Sequence, residues 1–134
     1  MSWLCWVLPV KSTADLMSTK SLSKSFGFAF AGLAYALRTQ RNIKLHLAAT
    51  ACTVAFGLKY SVSPVEWLIL VLTIMAVFVA ELMNTALEAV VDLASPALHP
   101  LAKTAKDVAA GAVLLTALSA VIIGSIVFYP KIFM

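Results

Sequence analysis

From Val108 to Tyr129 the chain runs for 22 residues without a charge, and from Trp67 to Ala80 for another 14. A helix of the first length is about 33 Å long, which matches a hydrocarbon core of about 30 Å. Inside a bilayer no water satisfies backbone N–H and C=O groups, so such a run folds as a helix that bonds within itself. The rest of the chain agrees: 62% of its 134 residues are hydrophobic and 12% are charged. Soluble domains hold roughly half and a quarter. A soluble reading would need an unusually buried helical core, so the chain reads as one compact, all-α integral membrane domain.

Four helical segments emerge. Residues 21–42 carry Leu22, Phe26, Phe30, Leu33 and Leu37 at helical spacing, with Lys24 and Arg38 off that stripe. Phe on one face and Lys/Arg on the other suit an amphipathic helix lying in the membrane interface, or one packed on the bundle. Three transmembrane helices are expected after it, at about 43–58, 64–93 and 107–129. The first is short for a span, and Lys44 and His46 at its start are expected to snorkel towards the headgroups. In the second, Ser63 reads as the N-cap and Pro64 as the first helical residue. Its thirty residues span roughly 45 Å, so it must tilt or project from the membrane. Ser95-Pro96 and His99-Pro100 read as breaks, with a loop as far as Lys106-Asp107. Residues 1–20 read as a poorly ordered extension rather than a signal peptide, because they lack a basic n-region and Pro9 stops the apolar run.

With three spans the loops sort by charge. The N-terminal side and the 94–107 loop share eight basic residues, against Lys59 and Lys131 on the other side. The richer side is expected in the cytoplasm. The net charge of +4 is therefore a topology signal, not a nucleic-acid footprint. Cys5 and Cys52 support neither a disulfide framework nor a metal site.

The chemistry lies at the end of the long third segment. Glu81 and Glu88 are seven residues apart and nearly eclipsed at 100° per residue, Asp92 is about 20° away, and Asn84 about 60° round. Ionisable residues at such a site are functional by default, although polar side chains also hold bundles together. Glu81 is closest to the hydrocarbon and the candidate base. Glu88 and Asp92 lie on the wetter side, where a hard cation with oxygen ligands is at home. Asn84 can hold either neighbour through hydrogen bonds.

At the cytoplasmic edge, Lys106 can offset phosphate charge. Asp107 has an ordinary reading as a cap of the last helix. His99 reads as a loop residue and a candidate nucleotide contact. There is no Gly-x-x-x-x-Gly-Lys-Ser/Thr loop, so an ATP site here must be built from helix ends and side chains.

The run Glu81-Leu82-Met83-Asn84-Thr85-Ala86-Leu87-Glu88-Ala89-Val90-Val91-Asp92, with Ala105-Lys106-Asp107, resembles the signature of the bacterial integral-membrane diacylglycerol kinases. Two further stretches, Arg41 to His46 and His99 to Gly111, are more similar to the undecaprenol kinase branch of that family. The likeness covers about residues 21–131. It implies a homotrimer in the bacterial inner membrane, with an interfacial helix and three spans per subunit, and active sites between subunits on the cytoplasmic face. It implies transfer of the ATP γ-phosphate to a lipid hydroxyl with Mg²⁺. Carried over, Glu81 is the base and Asn84 orients it, Glu88 is a metal ligand, and Lys106 and Asp107 meet the nucleotide. Lys24 matches a family lysine. At the end of the interfacial helix the family often has a second metal-binding Glu; this chain has Gln40 there, a candidate ligand whose amide oxygen can still bind Mg²⁺ but brings no negative charge.

The expected function is therefore an ATP-dependent lipid kinase acting on diacylglycerol or undecaprenol. The alternative from another class is a small transporter or proton-relay bundle using Glu81 and Glu88. A relay wants acids near mid-membrane, whereas these cluster at one end beside cations.

Overall fold

The computed structural model of the protein describes residues 22–95 and 99–134, so the extension expected over residues 1–20 lies outside the described residues. Among the described residues there are four helices: α1 (Leu22–Thr39), α2 (Arg41–Lys59), α3 (Pro64–Ala94) and α4 (Pro100–Phe133). The N-terminal unit ends at Ala34 and is helical over its described part, with Phe26, Phe28, Phe30 and Leu33 exposed. The second unit, Tyr35–Met134, holds the end of α1 and all of α2, α3 and α4.

Helix α1 ends at Thr39, where the helical spacing of its apolar residues also runs out. Gln40 is extended (φ −93°, ψ 119°), although its N–H still donates to the Ala36 carbonyl at 2.8 Å. The next helix then starts at Arg41 and takes Lys44 and His46 into its first two turns. Charged and apolar residues propagate a helix about equally well, so an apolar run marks what a helix buries and not where it begins.

The turn between α2 and α3 places Ser61 in the left-handed region (φ 50°). Helix α3 then opens on a complete capping box. The Ser63 hydroxyl accepts from the Glu66 N–H, the Glu66 carboxylate accepts from the Ser63 N–H at 2.7 Å, and Pro64 occupies N1. Both devices satisfy or remove donors that the first turn leaves orphaned.

Helix α4 begins seven residues before its expected start. His99-Pro100 does not break a helix; it starts one, with Pro100 at N1 and His99 as the N-cap. Asp107 accordingly lies in the third turn and is no cap; it pairs with Lys103 one turn back. The helix also continues through Pro130 to Phe133, which is tolerated so close to a C-terminus because few intrahelical bonds remain to be lost.

Helices α3 and α4 make the main packing of the second unit, with α2 against α3. The pair is antiparallel and tied at both ends: Lys131 meets Glu66 at 3.1 Å, and Lys106 meets Asp92 at 2.6 Å. Val62, Leu70 and Val127 form a small core, with Trp67, Ile123 and Phe128 packed on it. Most large apolar side chains of α3 and α4 instead face outward, among them Leu68, Leu72, Leu115 and Ile122. Patches of that extent on a soluble monomer mark contact with lipid or protein. Helices α3 and α4 are both long and apolar enough to cross a membrane; α2, with 19 residues that include Arg41, Lys44 and Lys59, falls short of that test.

Gly57 sets the α2–α3 approach. A Cβ there would lie 2.5 Å from Trp67 Cη2 and 2.6 Å from Cζ2. The indole is rigid and packed on the core, so it cannot simply swing away. Gly57→Ala is expected to destabilise the protein by about 1–3 kcal/mol despite the better helix former, because overpacking outweighs propensity. Thermal unfolding in detergent measures this. Combining Gly57→Ala with Trp67→Phe should cost less than the sum of the two single changes, since the smaller ring removes the clash.

Candidate active site

The last four turns of α3 carry the acids on one face, and their burial falls along it. Glu81 is 1% exposed, Glu88 is half-buried, and Asp92 is exposed. Asn84 is buried between the first two and donates from Nδ2 to Glu88 Oε1 at 2.9 Å. Asn84 therefore holds Glu88, although the family likeness gave it the task of orienting Glu81. Thr85, also buried, returns its hydroxyl to the Glu81 carbonyl at 2.9 Å, so it serves the helix backbone and leaves the carboxylate alone.

The carboxylate of Glu81 has a neighbour that sequence reasoning missed. His46, on α2, brings Nε2 to 3.3 Å from Glu81 Oε1. Its side chain turns to α3, away from the snorkelling expected of it, and its ring also meets Phe78 edge-on at 6.5 Å. The imidazole approaches off the line of a hydrogen bond. Close as it is, Glu81 Oε1 therefore counts with Asn84 Oδ1 as a buried oxygen without a hydrogen-bond partner among the described residues. Buried polar groups nearly always find partners, and exceptions mark strained or catalytic positions. Only helix packing reveals this pair; no motif or spacing along the chain joins residues 46 and 81.

The remaining site residues divide. Lys106 is brought to the acidic end by its ion pair with Asp92. Asp107 is exposed and paired with Lys103. His99 is exposed and accepts the Leu101 N–H on Nδ1 at 3.2 Å, which occupies that nitrogen in capping α4. Gln40 is half-buried at the α1–α2 break and makes no side-chain cap bond. Lys24 is exposed on α1, within the N-terminal unit.

No group of three or more His, Cys, Asp or Glu converges among the described residues. Mg²⁺ seldom uses an all-protein cage; it takes one or two carboxylates and completes its shell with water and substrate phosphates. Glu88 and Asp92, one turn apart on the wetter side of a buried acid, fit that sparse pattern. The Asn84 oxygen, buried and without a hydrogen-bond partner beside Glu88, adds a hard donor of the right kind. Together the face offers a proton acceptor at its dry end, oxygen ligands for a hard cation at its wet end, and an ammonium group opposite.

That combination of a membrane-embedded helix pair and a graded acidic face defines a membrane phosphotransferase more readily than a channel. Residues 27–128 match the model of the family described as prokaryotic diacylglycerol kinase. The undecaprenol kinase of Bacillus subtilis (strain 168) is 45% identical over 109 residues, which cover 81% of this chain and 89% of that protein. A diacylglycerol kinase of Synechocystis sp. is 42% identical over 113 residues, 84% of this chain and 65% of that protein. The diacylglycerol kinase of Escherichia coli (strain K12) is 30% identical over 99 residues, 74% of this chain and 81% of that protein. The chain belongs to the prokaryotic diacylglycerol kinase family and is a lipid kinase.

Proposed function

We propose that the protein transfers the γ-phosphate of ATP, with Mg²⁺, to the single hydroxyl of undecaprenol at the cytoplasmic face of a bacterial inner membrane. The observation that carries this reading is the buried Glu81 carboxylate at the dry end of a face that becomes wet towards Glu88 and Asp92. Undecaprenol is preferred to diacylglycerol because the 45% identical relative, matched over 89% of its length, bears that name. The Arg41–His46 and His99–Gly111 stretches also resemble that branch.

In this reading α2 is a third, short span, α1 lies in the interface, and three copies assemble so that neighbouring subunits complete each site. The outward apolar faces of α3 and α4 supply surface for both lipid and neighbours. Basic residues on the N-terminal side, with Lys103 and Lys106 in the first turns of α4, favour a cytoplasmic site. The relay alternative loses its ground, since the chain belongs to a family of lipid kinases.

Glu81 takes the proton of the lipid hydroxyl as the oxygen attacks the γ-phosphorus in line and ADP leaves. Asn84 keeps Glu88 in place. Glu88 and Asp92, with the Gln40 amide oxygen, would hold Mg²⁺, which when bound supplies charge neutralisation to the phosphates. Lys106 offsets further negative charge, exchanging Asp92 for phosphate oxygen, while Asp107 and His99 border the nucleotide. Positioning and electrostatics are most of what phosphoryl transfer requires.

Purified protein in lipid micelles with ³²P-labelled ATP provides the test. Label is expected in undecaprenol at a kcat/KM at least about tenfold above that for diacylglycerol, a difference of about 1.4 kcal/mol in transition-state binding. Equal or reversed efficiencies would overturn the acceptor. No label in either lipid would overturn the activity.

A further inference from the structure

The Glu81 carboxylate is almost fully enclosed, yet the structure gives it no hydrogen-bonded partner on Oε1. Among the described residues one basic side chain reaches it, His46 at 3.3 Å from the neighbouring helix. A carboxylate with free rotation about its last bond would present either oxygen, or neither, to an incoming hydroxyl. A general base must meet its proton within hydrogen-bond reach and in the right direction. Hydrogen-bonding partners behind a reacting group commonly supply that direction.

We propose that His46 is the positioning residue for Glu81. Its Nε2–H holds Oε1 from the α2 side and leaves Oε2 as the oxygen that takes the lipid proton. A small rotation of the imidazole converts the present contact into a straight hydrogen bond. Phe78, packed edge-on against the ring, limits the other orientations it can take. His46 also lines a groove of about 600 Å³ between α2, α3 and α4, together with Ala49, Thr53, Val77 and Ala120. The groove is mostly apolar, so few groups there compete for the imidazole or for Glu81. It is open enough to admit a small molecule to the place the ring occupies. This inference rests on Glu81 being the base.

The test compares His46→Gln and His46→Ala, each assayed for lipid phosphorylation with and without added imidazole. Gln keeps an N–H donor on a side chain of similar reach. His46→Ala is expected to lose roughly 30-fold or more in kcat with the KM for ATP within about twofold, because only orientation at the reacting end has changed. His46→Gln should lose less than about fivefold, and imidazole at millimolar concentrations should restore part of the kcat of His46→Ala and none of Glu81→Gln. Recovery by imidazole also shows that the alanine variant is folded. Full kcat in His46→Ala overturns the inference, as do equal losses in both variants with no response to imidazole. If Glu81→Gln itself stays active, the base assignment fails, and that result is distinct from the failure of His46 alone.

Discussion

Glu81→Gln is expected to leave less than about a thousandth of the parent kcat for lipid phosphorylation, within the range that positioned general bases contribute. The substitution keeps the shape of the side chain. At a position 1% exposed it replaces a carboxylate by a neutral amide, which is no harder to bury. The Thr85 bond goes to the Glu81 carbonyl, so the helix loses nothing. Folding should therefore be preserved or slightly improved, and the melting temperature in detergent is the control. The KM for ATP should hardly move, because an interaction made only as the hydroxyl loses its proton appears in kcat. A Glu81→Gln protein that retains more than about a tenth of the activity would place the base elsewhere.

Why Glu81 was legible, and its partner was not, is a matter of range. Glu81, Asn84, Glu88 and Asp92 share a face because one helix carries them all, and helical geometry acts over a few residues. Their graded burial follows from the uncharged run before them and the helix-ending Ser95-Pro96 after them, both visible in the sequence. The Ser63-Pro64 start was readable for the same reason. The His46–Glu81 contact depends on how α2 lies against α3. That approach is governed by Gly57 under Trp67, a pairing with no signature in the sequence. The clamp between Lys131 and Glu66 is equally non-local.

The start of α4 was lost for a different reason. His99-Pro100 carries two opposed signals: a proline ends a helix that precedes it and opens one that follows. Reading it as a break left Lys103, Lys106 and Asp107 in a loop. In the structure they lie on the first turns of a helix, which gives Lys103 and Asp107 to each other and aims Lys106 at Asp92. The reach of Lys106 to the acidic end survives the correction, since a helix fixes it there better than a loop would. His99 changes more, because its Nδ1 is committed to the Leu101 N–H.

At Glu88 the charge and the hydrogen bond can be separated. Glu88→Gln retains an oxygen that can accept from Asn84 Nδ2, now at 2.9 Å, but removes the negative charge. It is expected to raise the Mg²⁺ concentration for half-maximal activity by roughly 10- to 100-fold, the scale on which metal sites respond to altered ligation. Excess Mg²⁺ should recover much of the rate, and thermal stability should match the parent. Glu88→Ala removes both features. Asn84 is buried with Oδ1 already lacking a hydrogen-bond partner, so losing the acceptor for Nδ2 strands its other end too. That costs about 1–3 kcal/mol, which the melting temperature registers. The alanine variant should thus lose stability as well as Mg²⁺ response, and the glutamine variant the response alone. An unchanged Mg²⁺ titration in Glu88→Gln would remove Glu88 from the metal site and leave it as the anchor of Asn84.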